Sequence, residues 1–340
     1  MPGSRLILTR PQILAFRRRV GALDERLPTR ARSLERAAWA GLQDSMPRAA
    51  LLSIHARVER TRASSWEDPS LVQLWGPRYH AYVVARRDFA IFSLGRLPDG
   101  ARVRRMAEDL AGRLHALLDG SRMTDREAGR ALGENHNRLR YAALTGRVVM
   151  RWEGSRAPTI WTVPQPELEP RDARLELARR YLHIFSPTTP AAFAQWAGIA
   201  LREGIAAFNA LHESLTPVRT PLGDAWILSR DEPAYRANAQ PAAPARLLPS
   251  GDAYFLLQGA DRELLVPDAK HRAALWTTRV WPGAVLVDGE IVGVWRRSRE
   301  HVTIGVWEPL TRAARAAVEA EAAALPLPDM RGSIGLRWDG

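Results

Sequence analysis

The stretch TDREAGRALGENHNRLRYAALTGRVVMRWEGSRAPTIWTV, residues 124–163, decides how the chain is read. Thr124-Asp125-Arg126-Glu127 is a capping box, in which the Thr hydroxyl and the Glu carboxylate satisfy free N–H groups at the start of a short helix. Residues 135–144 supply a second helix. Residues 147–153 and 159–163 then alternate in the manner of strands, with a turn between them. Two helices followed by a β-hairpin predict a winged helix-turn-helix, whose second helix is the one offered to DNA.

Downstream the same order returns. Residues 171–185 form a helix, 189–197 and 202–211 a helix-turn-helix, and 215–220 with 225–229 a hairpin around Pro221-Leu222-Gly223-Asp224. Upstream, Ile13, Leu14, Phe16, Val20 and Leu23 recur at helical spacing across residues 9–27, with an arginine face at Arg17, Arg18 and Arg19. Helices follow at 33–42 and 47–59, broken at Gln43-Asp44-Ser45-Met46. A Tyr- and Val-rich strand covers 79–85, and a connecting helix covers 100–118.

Beyond a linker at 231–245 the character turns to β, with strands at 254–258, 263–266, 284–287 and 291–296, a tight turn at Asp288-Gly289 and a closing helix at 309–325. The expected class is mainly α with β (α+β): tandem winged helix-turn-helix units, then a C-terminal β-rich domain. The expected boundaries are 1–120 for a first unit, 121–168 for a second, 169–235 for a third and 246–340 for the C-terminal domain.

The net charge of +12, from 49 Lys+Arg against 37 Asp+Glu, suits a polyanionic partner, and nucleic acid is the commonest. Nearly all of the basic residues are arginine, with Lys270 the single lysine. The absence of cysteine excludes disulfides, thiolate-zinc sites, iron–sulfur clusters and a Cys nucleophile. No run approaches the roughly 20 apolar residues that span a bilayer. The opening Met1-Pro2-Gly3-Ser4-Arg5 has no apolar signal core, so a cytoplasmic, nucleoid-associated protein with no membrane partner is expected.

Four passages carry a family resemblance: GLQDSMPRAALLSIHAR at 41–57, LARRYLHIFSPTTPAAFAQWAGI at 177–199, LLPSGDAYFLLQGADRELLVPD at 247–268 and VLVDGEIVGVWRR at 285–297. The chain resembles the AlkZ/YcaQ-like winged-helix DNA glycosylase family over nearly its whole length. The resemblance implies monofunctional excision of N7- or N3-alkylated purines, including bulky antibiotic adducts and cross-links, through a Gln-x-Gln or Gln-x-Asp motif. Aligned on Pro47-Arg48-Ala49, that motif falls on Gln43, Asp44 and Ser45, with Ser45 in place of the second Gln or Asp and Asp44 at the usually apolar middle position.

On this reading Gln43 holds the attacking water through its carbonyl oxygen. Asp44 supplies the negative charge and takes the proton late in the reaction. Ser45 completes the water's coordination. The same three residues also read as the end of one helix and the cap of the next, because Asp and Ser favour N-caps.

Asn137, Arg138 and Arg140 on the second unit's DNA-facing helix, with Arg147 on its wing, are candidate DNA contacts. So are Arg48 and Arg57 flanking the motif, His80 on the nearby strand, and Arg296 and Arg297 after the late hairpin. His55 lies along an apolar stripe and is assigned to structure, as are Trp152, Trp161, Trp196 and Trp226. Neither His55 nor His80 has metal-ligand spacing, and no metal or cofactor is expected. Lys270 reads as a solvated helix start, so no Schiff base is expected from it, and the product should be an abasic site. The expected partner is double-stranded DNA with alkylated purines, bound by a monomer. A winged-helix protein that binds DNA or damaged DNA without catalysis, such as a transcriptional regulator, is the alternative.

Overall fold

A computed structural model describes residues 5–154, 156–238, 241–257, 259–298, 300–328 and 333–339. The chain opens with strand β1 (Leu6–Ile7) and helix α1 (Arg10–Val20), then forms a first unit from α2 (Ser33–Ala37), β2 (Leu42–Gln43), α3 (Ala49–Arg57), β3 (Leu71–Trp75), β4 (Ala81–Ala85) and α4 (Phe89–Leu94). A second unit follows from α5 (Ala101–Leu118), β5 (Met123–Thr124), α6 (Asp125–Leu132), α7 (Leu139–Ala142), β6 (Val148–Arg151) and β7 (Thr159–Thr162). The third comprises α8 (Pro170–Phe185), α9 (Pro190–Ala197), α10 (Leu201–Ala210), β8 (Leu215–Thr220), β9 (Gly223–Leu228) and α11 (Glu232–Arg236). The C-terminal domain contains β10 (Ala245–Leu248), α12 (Asp261–Leu265), α13 (Ala269–Leu275), β11 (Gly283–Val287), β12 (Glu290–Ser298), β13 (His301–Val306), α14 (Arg312–Ala323) and β14 (Gly335–Asp339).

The first two units share one sheet plan, β2-β4-β3 and β5-β7-β6, in which the strand before the paired helices joins the far strand of the wing. The third unit repeats it with a single bridge from Thr188 to Trp226, and β1 extends that sheet by pairing parallel to β8. The Thr124 capping box forms as its spacing requires, with the Glu127 N–H donating to Thr124 Oγ1 at 3.2 Å.

The structure revises several expectations. α1 stops at Val20 because Gly21 and Ala22, the latter at φ 51°, turn the chain out of the helix. It does not join the first unit: Ile13 and Phe16 pack with Val218, Ile227 and Tyr235 of the third. Its arginine face is structural in part, since Arg17 donates to the carbonyls of Phe185 at 2.8 Å and Ser186 at 3.0 Å. α5 ends before residue 120 but packs with residues beyond it, Leu110, Leu114 and Leu118 filling the core under Leu139, Met150 and Ile160. Apolar contact, not chain order, assigns both helices.

The helix expected at 135–144 is a 3-10 turn, one α turn (α7) and another 3-10 turn, because Asn135 folds its side chain onto the Asn137 N–H at 2.9 Å. In the C-terminal domain, 263–266 falls mostly in helix α12, and the described part of 254–258 is irregular, while Gln258 lies outside the described residues. Tyr254–Leu257 and Leu264–Val266 are buried, which gives an apolar run no strand period to follow, and Glu263 alone is exposed. Strands β3, β10, β13 and β14 were not anticipated. No helix among the described residues is long and apolar enough to cross a membrane.

Candidate active site

Strand β2 places the motif. It runs antiparallel to β4, Leu42 opposite Val83 and Gln43 opposite Tyr82, and the pairing continues where the Asp44 N–H donates to the Ala81 carbonyl at 2.7 Å. An extended chain sends successive side chains to opposite faces. Leu42 enters the core with Leu51, Ile54 and Val83, and Asp44 follows on the same face, at 0% exposure. Gln43 and Ser45 share the other face and are both half-buried.

Burial corrects the role expected of Asp44. Its Oδ1 accepts the Ala50 N–H at 3.0 Å, closing the N-terminus of α3, and its Oδ2 accepts from Gln73 Nε2 at 2.7 Å. The Trp152 N–H donates to Gln73 Oε1 at 2.6 Å and so orients that amide toward the carboxylate. Burial pushes the Asp44 carboxyl up to about 7, against the Ala50 N–H, the Arg48 guanidinium, the Gln73 amide and Arg151. A group with no exposed surface reaches no sugar, so Asp44 acts as a cap that holds Gln43 and Ser45 in place.

Gln43 is held from two sides. The hydroxyl of buried Tyr82 donates to its Oε1 at 3.4 Å. The loop after β10 approaches so closely that a Cβ on Gly251, at φ 76°, would stand 3.0 Å from Gln43 Nε2. Only glycine combines that backbone with that approach.

The loop is locked by Asp252, whose two oxygens accept from Arg57 at 2.7 and 2.8 Å and also from Ser53 Oγ at 2.7 Å. Arg57 is 4% exposed in this pair. It joins α3 to the C-terminal domain, its guanidinium turned to Asp252 where the sequence predicts a phosphate clamp.

Ser45 Oγ lies 3.0 Å from His80 Nδ1. Although His80 is an exposed residue, partial desolvation by its neighbours, with the cations of Arg78, Arg140 and Arg96, pushes its imidazole down to about 4. It is therefore neutral at pH 7. His55 is also held down to about 4, chiefly by burial, and sits inside the α3 packing in keeping with its structural assignment.

Cations surround the pair unevenly. Arg48 and Arg151 both stack on the Trp66 indole, 3.7 and 3.6 Å from its ring centroid. Arg140 faces His80, and the Nε atoms of Arg78 and Arg140 are buried without a hydrogen-bond partner. Arg296 and Arg297 line a groove of about 400 Å³ with Met46, Pro47, Ser250 and Trp281, directly beyond the motif.

Other candidates lie apart from this cluster. Asn137 is exposed, and Arg138 pairs with Glu134 at 2.9 Å. Arg147 lines a separate cavity of about 720 Å³ with Arg104 and Pro166. Sequence reading missed Gln73, Tyr82, Arg78 and Gly251. Gln73 left one trace, a lone amide inside the apolar strand Leu71–Trp75, which must find a partner once buried.

Among curated proteins no sequence matches the chain. Among solved structures, Streptomyces sahachiroi DNA glycosylase AlkZ is similar at a TM-score of 0.76 and 20% identity, covering 98% of this chain and 100% of that one, a likeness of fold. The family profile described as DNA glycosylase AlkZ-like matches residues 35–326, a span that includes the motif, the Arg57–Asp252 lock and the arginine-lined groove. The chain belongs to the AlkZ-like family of DNA glycosylases.

Proposed function

We propose that the protein is a monofunctional glycosylase that, as a monomer on double-stranded DNA, releases N7- or N3-alkylated purines by water attack at the anomeric carbon. The observation that carries this reading is the placement of Gln43 on β2 with Ser45 two residues beyond it, both half-buried, next to Met46 and Pro47 of a groove edged by arginines. An alkylated purine is already cationic, so its glycosidic bond is weakened and the base departs without protonation. What the protein must do is fix a water and stabilise positive charge developing on the sugar.

The Gln43 carbonyl and the Ser45 hydroxyl are suited to hold that water between them. Gln43 Oε1 keeps a free lone pair beside the long bond from Tyr82, and its dipole would stabilise the oxocarbenium-like sugar. Arg48, Arg140, Arg296 and Arg297 would take the flanking phosphates. The groove beyond Met46, floored by Trp281, supports acceptance of a bulky substituent on the purine. The single lysine, Lys270, is exposed at the start of α13 and well suited to nothing but solvent, which supports an abasic product with an unbroken strand.

Duplexes carrying one N7-methylguanine or one bulky N7-arylalkylguanine test this. Base release into solution is expected from at least one, with strand cleavage only after alkali. Gln43→Ala should slow release about a hundredfold. Retention of the base in both duplexes would sink the proposal.

A further inference from the structure

We propose that His80 is the proton acceptor of the reaction and acts through the Ser45 hydroxyl. This rests on the glycosylase reading above and adds a residue to it. The geometry comes from two strands: Ser45 extends the edge of β2, and His80 enters β4 opposite, so that Oγ and Nδ1 meet at 3.0 Å. The hairpin that delivers His80 is held in an unusual course, since Arg78 and Tyr79 both adopt left-handed backbone, at φ 54° and 60°. Two successive non-glycine residues in that region persist only where the surroundings enforce them. Here Tyr79 packs edge-on against Tyr141, at 5.2 Å between ring centroids, and α9 ends in Gly198 against the Arg78 backbone.

The water oxygen bonds to the anomeric carbon as the carbon–nitrogen bond breaks, and that electron pair neutralises the departing cationic purine. The water proton passes to Ser45 Oγ while the Ser45 proton passes to His80 Nδ1. The imidazolium then returns its proton to solvent, leaving a hydroxyl on the abasic sugar.

A weak base suffices, because the attacking oxygen becomes a strongly acidic oxonium as its bond to carbon forms. The charged groups facing His80 are Arg78 on its own hairpin, Arg140 from α7 and Arg96 after α4. All three are cations that keep the ring free of a proton at neutral pH and would expel one after each turnover. In this arrangement Ser45 and His80 together do what a single longer acceptor at the second motif position would do.

Single-turnover release of N7-methylguanine by Ser45→Ala, His80→Asn and the double variant provides the test. The amide introduced by His80→Asn can accept the Ser45 hydrogen bond but cannot take a proton. Each single variant should lose about a hundredfold in rate with DNA affinity unchanged, and the double variant should be no slower than the slower single one. A His80→Asn chain at the parental rate, or one impaired only in affinity, would overturn the relay. Nitrogen-15 NMR of the histidines gives a readout independent of turnover: His80 should carry its proton on Nε2 at pH 7. An Nδ1–H tautomer would refute the relay whether or not base is released, whereas absence of release by the parental chain speaks only against the glycosylase reading.

Discussion

The first and second units share a sheet plan yet use the segment after the first strand in opposite ways. In the first, every residue of α3 from Ala49 to Arg57 is buried: Leu51 and Ile54 face the unit's own core, and Leu52 packs into the C-terminal domain. In the second, the helix after β5 is α6, which buries only Asp125, Ala128 and Gly129, and Asn135, Asn137 and Arg138 beyond it stand exposed. A helix sandwiched between two domains cannot enter a groove of DNA, but it can hold the strand before it at a fixed position. The same architecture thus gives a rigid platform for Gln43 and Ser45 in one unit and a charged surface in the other.

The sharpest way to break this contrast is to unlock the sandwich. Arg57→Ala leaves Asp252 buried without its cation and should destabilise the fold by about 3–5 kcal/mol, read by urea denaturation. A cost below about 1 kcal/mol would mean that α3 is not held by the C-terminal domain.

The next test uses pH. The Asp44 carboxyl is raised in the folded chain to about 7 from an ordinary 3.8, so its contribution to stability is complete below the lower value and is lost as pH rises through the upper one. Asp44→Asn removes that dependence. Measured at pH 5 and pH 8, the stability difference between the two chains should move in the variant's favour by about 2 kcal/mol at the higher pH. An unchanged gap would show that the carboxylate is better solvated than its burial implies.

The smallest effect belongs to the exposed surface. Arg138 forms a solvent-facing pair with Glu134 and a long contact to Met106 Sδ at 3.8 Å, so Arg138→Ala should alter stability by less than about 0.5 kcal/mol. If the second unit touches phosphate there, the slope of log affinity against log salt should fall by about 1. An unaltered slope would remove this face from the DNA interface.

Much of the fold was legible because its signals are local. The Thr124 capping box, the Pro and Gly stops and the period of the apolar residues bound α5, α6, α8, α9 and α10 closely. Strand Leu71–Trp75 escaped notice because it is buried on both faces and shows no alternation. Strand β14 depends on a partner 34 residues away in the chain, as in the pairing of His301 with Gly335, and no local pattern announces such a ladder.

The sequence by itself determined the order of helices α5 to α10, the arginine-rich charge and the position of the motif, since propensity, capping and net charge are properties of neighbouring residues. Only the tertiary structure decided which motif side chains enter the core and which face outward. That choice follows from the phase of β2 against β4: one face of an extended strand must enter the core, and packing against Leu51 and Val83 sends Leu42 and Asp44 there. The partners of the outward face, His80 for Ser45 and Gly251 for Gln43, arrive from a hairpin and a distant domain, so their nearness exists only once the apolar surfaces between them have closed.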